Sequence, residues 1–278
     1  MNRIRGNKFV RQTNRRCIFV PVRRSCTLHL SALVLGLLVT NSVPASVPKP
    51  PSISGTWALK TVSAREIDVP VVGVVVSRSI ALAALRIRQR GTRLSVKQKL
   101  CRLSLDTDSA SLSMTLPKAF TRAFRWDKYS AELTRTDGRW RFERPEVIRV
   151  FGAKLQAPSV DRLPNTATDS RLRDHDRDGK PAVTMHIGGI VNGRIYFVSR
   201  DRVSFNGFLS EDANSAFGPM QLRRERVTVQ ASNPLLGKSP SSREHPDPAQ
   251  SYFQMVRLSD GQACRDVLNK QRQLFKLP

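Results

Sequence analysis

Residues 182–200 read AVTMHIGGIVNGRIYFVSR, two runs rich in β-branched and aromatic residues separated by Asn192-Gly193. Asn-Gly between such runs is the strongest short-range hairpin signal, because a two-residue turn matched to strand twist needs positive φ at both central residues. The spacing predicts strands over Ala182–Ile190 and Arg194–Arg200. The same punctuation recurs on either side. Arg90-Gly91-Thr92 separates Ile80–Gln89 from Arg93–Leu105, and Thr136-Asp137-Gly138 separates Lys128–Arg135 from Arg139–Arg144. Further strands are expected at Ile53–Lys60, Arg202–Leu209, Met220–Ala231 and Tyr252–Ser259.

Short strands at this spacing, with no sustained helical period between them, predict a mainly β fold: an antiparallel β-barrel or β-sandwich. Helix is expected at Pro117–Phe124, where Phe120 and Phe124 lie four apart, and in a short C-terminal stretch, Gln262–Phe275. Gly237–Gln250, GKSPSSREHPDPAQ, reads as a long exposed loop. With no internal repeat, residues 53–278 are expected to form a single β-rich domain, preceded by a Pro/Ser linker at 46–52.

The first 45 residues carry eight basic side chains and no acidic one, then an apolar run at 28–39 (LHLSALVLGLLV) and a small-residue end at Val43-Pro44-Ala45. A positive region, a short apolar region and small residues describe a secretory signal peptide. The run falls short of the ~20 residues a membrane span needs. The protein is therefore expected to be secreted or periplasmic and not an integral membrane protein once processed. An N-terminal anchor is the alternative.

The formal charge is +25, from 47 Lys and Arg against 22 Asp and Glu. Removing the leader leaves 39 basic residues and a charge of about +17. Such a field favours anionic partners, including anionic components of a cell envelope. Nucleic acid is not among the expected partners: no binding motif is present, and aromatics are not interleaved with the basic residues.

Cys101 and Cys264 are the two cysteines outside the leader. An even number in an oxidising compartment points to a disulfide joining the early sheet to the C-terminal segment, and two free buried thiols are the alternative.

Asp174-His175-Asp176-Arg177-Asp178-Gly179-Lys180-Pro181 is the sharpest local motif. Carboxylates at positions 1, 3 and 5 of a tight loop point inward toward a hard cation, the glycine at 6 permits the sharp turn, and the carbonyl at 7 adds a ligand. The stretch resembles the EF-hand loop and, more closely, the DxDxDGxP calcium loop of integrin-type (FG-GAP) repeats. That resemblance implies structural Ca2+ held by Asp174, Asp176, Asp178 and the backbone carbonyl of Lys180. Position 9 is Ala182 and position 12 is Met185, so the carboxylates those loops carry there are missing; Asp169 and Asp161 just upstream are candidates for further oxygens, though nothing in the sequence demands it. The alternative is an acidic surface turn paired with Arg171, Arg173 and Arg177.

Ser54-Gly55-Thr56-Trp57 stands at the start of the first strand. Its Gly-x-Trp resembles the opening of lipocalins and related calycin barrels. The resemblance implies a barrel that holds an apolar ligand, with Trp57 closing one end of the pocket.

No catalytic constellation is legible. His175, His186 and His245 lack metal-binding spacing, and no nucleophile elbow or phosphate loop is present. The leading expectation is an exported, calcium-stabilised β-domain with a binding or structural role at the envelope or outside the cell. A barrel carrying an apolar ligand is the second reading, distinguished by a deep apolar cavity. A hydrolase of envelope polymers is the third, distinguished by a cleft gathering His186 or His245 with carboxylates and a serine.

Overall fold

The computed structural model describes residues 48–69 and 72–276; the predicted signal segment and the first two linker residues lie outside them. The chain begins with three long antiparallel strands, β1 (Gly55–Val69), β2 (Gly73–Arg90) and β3 (Arg93–Thr107). A short β4 (Leu112–Thr115) and helix α1 (Lys118–Ala123) lead to the hairpin of β5 (Asp127–Thr136) and β6 (Arg139–Phe151). Its turn holds both Asp137 and Gly138 at positive φ, 50° and 75°, as a strand-matched turn requires.

After a long excursion come β7 (Val183–Gly189), β8 (Gly193–Leu209), β9 (Ser215–Ala231), a short β10 (Ser242–Glu244) and β11 (Tyr252–Leu258). The chain finishes with α2 (Cys264–Asn269) and α3 (Gln271–Leu274). The strands form one antiparallel sheet, in which β8, β6, β5, β3, β2, β1, β11 and β9 pair in sequence and β9 returns to β8. The result is a barrel-like ring of eight strands, consistent with the mainly β, antiparallel expectation.

The ring is not fully closed. β3 pairs with β5 through Arg93–Gln98 alone, and β5 pairs with β6 through Glu132–Thr136. Beyond these, Lys99–Thr107 of β3 and Arg144–Phe151 of β6 share no paired strand and leave a split, whose far end is bordered by β4, joined to β8 through β7. Helix α1 and the segment Phe124–Trp126 fill it, and the Lys99 ammonium bonds the Phe124 carbonyl there.

Side chains alternate across the ring wall, as period-two geometry dictates. Trp57, Leu59, Leu85, Val96, Phe142 and Phe253 pack inside where the ring is continuously paired, giving a filled end. Ala58, Leu82 and Ala84 point outward and are covered by Val267 and Phe275 of the C-terminal segment. A bulge makes the disulfide reachable from that outer face. Ala83 opposes Leu100 and Leu82 opposes Arg102, so Cys101 is the extra residue. Cys101 is disulfide-bonded to Cys264, across a sequence separation of 163 residues.

Several boundaries differ from the sequence reading. β1 and β2 run far beyond Lys60 and start well before Ile80, because their turn lies inside the apolar run Val69–Val76 and carries no polar punctuation. Arg194–Arg200 and Arg202–Leu209 are one strand, β8. Within the expected exposed loop, β10 pairs with β1, placing Arg65 opposite Glu244. The C-terminal helical stretch is two short helices.

Candidate functional site

The end of the ring beside the split is hollow. A cavity of about 540 Å³ lies between the strands, with Leu59, Leu103, Leu105, Val203, Phe205 and Leu222 among its apolar walls. Phe120 and Phe124 of the α1 region close its side, edge-on to each other and to Phe151 of β6. Arg125 and Trp126 are exposed members of the same lining, so the split is where the cavity meets the surface. Trp57 lies in the filled end, fully buried with its indole N–H on the Ile53 carbonyl at 2.9 Å; the lining on β1 begins at Leu59.

One stretch of the wall is polar, and strand register explains it. Ser63 pairs with Ser79 and Arg65 with Ser77 across β1 and β2; Ser199 pairs with Arg226 and Asp201 with Arg224 across β8 and β9. Inward positions thus change from apolar to hydroxyl and guanidinium partway along four strands. Ser63, Ser199 and Asp201 face the main cavity, while Arg65 and Ser77 border a side chamber of about 200 Å³ that shares Ser79, Leu105, Arg224 and Arg226 with it.

Asp201 is buried and held by Arg224 through two bonds of 2.8 and 2.6 Å, the fork geometry that suits a carboxylate. Burial opposes the charge of Arg224, but Asp201 outweighs it and raises its pKa. Arg65 spends its donors on Ser242 and on the Leu222 carbonyl. Arg226 differs: it forms no ion pair among the described residues, its Nε is buried without a partner, and its guanidinium lies over Phe197 at 4.6 Å. Burial first, then the charge of Arg224, pulls its pKa down to about 9, so it stays cationic at neutral pH.

Arg144, 3% exposed, also lines the cavity. Its guanidinium is sandwiched between Tyr129 and Phe205 at 4.6 and 4.9 Å, with Nε and Nη2 unpartnered. Burial lowers its pKa to about 10 and raises that of Tyr129 to about 12.

The second feature is the acidic loop. Asp174, Asp176 and Asp178 come together, with one carboxylate oxygen of each within 4.8 Å of the others. Asp174 accepts from the amides of Arg177 (2.6 Å) and Gly179 (2.9 Å), so its carboxylate closes the turn. Thr184, at the start of β7, donates its amide to Asp176 Oδ2 and its hydroxyl to Asp178 Oδ2, at 2.9 and 2.7 Å. The other oxygen of Asp176 is buried and unpartnered, and the residue is 2% exposed. Burial, together with the charge of Asp178, pushes the Asp176 carboxyl above its ordinary pKa.

No basic side chain among the described residues pairs with these three aspartates: Arg171 pairs with Asp169, and Arg173 donates to the Ser170 and Leu172 carbonyls. The donor set, three carboxylates with one orphaned oxygen, fits a hard cation such as Ca2+. Lys180 ends the loop with its amide on Asp178 Oδ1 at 2.9 Å. Asp169 and Asp161, the candidate extra ligands, are not in the cluster. Asp169 is committed to Arg171, and Asp161 accepts from the Ala157 amide at 2.9 Å.

His175 connects the two features. Its Nδ1 accepts from the Gly152 amide at 2.9 Å, its ring meets Phe151 edge-on, and it lines the cavity. His186 and His245 do not line the cavity.

No protein-family model matches the chain, and no curated protein is significantly similar to it. The reading therefore rests on this geometry. A largely apolar chamber with a few convergent polar groups and a side opening is the form small-molecule sites take, commonly at 300–1,000 Å³. Sequence reasoning missed Arg224, Arg226, Asp201 and Thr184. The inward series Met220, Leu222, Arg224, Arg226 carried the signal, an apolar face that turns cationic without leaving its strand.

Proposed function

We propose that the protein is an exported carrier or receptor that encloses an apolar or amphiphilic small molecule in the hollow end of its ring. The observation that carries this reading is the cavity of about 540 Å³, walled by apolar side chains with one polar stretch, in a fold whose other end is packed. A ring evolved for scaffolding alone gains nothing from a void, since unfilled volume forfeits dispersion contacts and costs stability. Favouring carriage over an outward-facing binding or structural role is a change from the leading sequence expectation.

Export, to the periplasm or outside the cell, is supported by the leader-like residues 1–45 and by the disulfide, which suits an oxidising compartment. Among the described residues, no helix is long and apolar enough to cross a membrane. The Asp174–Asp176–Asp178 loop is the proposed calcium staple, supported by its orphaned buried oxygen. Through His175 it braces the β6 end of the cavity wall. The proposed partners are an apolar or amphiphilic small ligand and, on the basic outer surface, anionic envelope components.

Calorimetric titration of the purified protein with dodecan-1-ol tests carriage. Saturable binding of one molecule per chain is expected, and no uptake contradicts the reading.

A further inference from the structure

The side chamber differs from the main cavity in chemistry, and its charge is unbalanced. Arg65, Arg224 and Arg226 border it, while the one carboxylate that neutralises any of them from within the ring, Asp201, is committed to Arg224. Glu244 acts on Arg65 from the exposed strand β10. That leaves Arg226 without an ion pair among the described residues, Asp201 acting on it only at longer range, with a buried unpartnered Nε, on the seam shared by both chambers. Ser77 and Ser79 bring hydroxyls to the same chamber.

A half-buried cation whose inner nitrogen has no partner is costly, and proteins keep one where something pairs with it. An apolar chamber joined to a cationic, hydroxyl-lined annex has the polarity profile of one class of molecule. We infer that the ligand is an alkyl amphiphile with an anionic head group, a carboxylate or a phosphate monoester, whose tail fills the apolar cavity and whose head is received by Arg226 with Ser77 and Ser79 in the side chamber. The inference rests on the carriage reading and adds the head-group chemistry and its receiving residue. Arg224 is a positioning residue: its fork engages both oxygens of Asp201, and its Nη1 reaches Ser79 Oγ at 3.4 Å across the ring interior. The same cations exclude an ammonium head.

The test is calorimetric titration of the purified protein, below micellar concentrations, with dodecanoate, dodecyl phosphate, dodecan-1-ol and dodecyltrimethylammonium. At least one anionic probe is expected to bind about tenfold or more tighter than the alcohol, as charge-assisted bonds in a desolvated site should give, with the ammonium weakest. Whichever of dodecanoate and dodecyl phosphate binds tighter identifies the source of the anion. In R226Q the ratio of anionic to alcohol affinity is expected to fall close to one, and R226K, which keeps the cation, is expected to retain part of the preference. Because the readout is a ratio within one protein, a lowered melting temperature in R226Q does not hide the result. Equal affinities for dodecanoate, dodecyl phosphate and dodecan-1-ol in the unaltered protein overturn the head-group inference and leave carriage standing. A preference lost in R144Q but kept in R226Q overturns the choice of receiving residue. No binding of any probe sinks carriage and the inference together.

Discussion

Asp176 gives one carboxylate oxygen to the Thr184 amide and buries the other with no partner. An arrangement of that kind is stable when a cation completes it. At 10 mM Ca2+ and a dissociation constant of about 10⁻⁴–10⁻³ M, linkage contributes about 1.4–2.7 kcal/mol, a rise of about 3–10 °C in Tm for a domain of this size. Asp176→Asn keeps an oxygen for the Thr184 amide, so its calcium-free Tm should hold while the calcium response disappears. Thermal melts with and without calcium check both, and a full response in the variant would exclude Asp176 as a ligand. Gly152 is equally specific. It sits at φ 79°, and a Cβ there would lie 2.6 Å from the Phe197 carbonyl oxygen. Gly152→Ala should cost about 2–4 kcal/mol, from left-handed backbone strain plus the clash, read as a lower denaturant midpoint. The aspartate motif was legible because its spacing is local. Thr184 was not, because a threonine opening a strand carries no mark of the carboxylates it holds.

At the scale of elements, the hairpins were readable where Gly91 and Asp137-Gly138 turn the chain at positive φ and where Asn192 leads into Gly193, which opens β8 in place of forming a two-residue turn. The β1–β2 connection was missed although Gly73 opens β2 at φ 88°, because the valines around it read as one apolar run. The division of β8 is more instructive. Arg200-Asp201-Arg202 looks like a polar break between strands, but Arg200 is covered by the 152–182 excursion, where it bonds the Asp161 carbonyl, and Asp201 pairs with Arg224 inside the ring. Of the three charges that suggested a strand end, Asp201 belongs to the candidate site, while Arg200 and Arg202 hold the excursion against the outer face of β8. The C-terminal helices depend on β3 through the Cys101–Cys264 bridge and a small apolar cluster. On the chain-entropy model a loop of 163 residues is worth about 5 kcal/mol, so the double substitution to serine should lower the urea midpoint strongly. An unchanged midpoint would mean that α2 and α3 hold their place by packing alone.

For the whole molecule, composition and alternation carried the β class, while closure into a ring depended on which strands pair over long range, and local pattern does not encode that. The same limit applies to the cavity. Leu103, Leu105 and Leu222 read as ordinary core residues in sequence, and only the split between β3 and β6 leaves space beside them. Ala81, a small residue of β2 in the cavity lining, is the natural place to fill that space. Ala81→Trp should occupy the void without displacing a packed side chain, leaving a cooperative melt intact. The most direct measurement is calorimetric titration of dodecan-1-ol into the unaltered protein and into this variant. One saturable site per chain that the tryptophan abolishes is the predicted result; no binding to the unaltered protein, or binding that A81W leaves unchanged, would contradict a ligand held inside the ring.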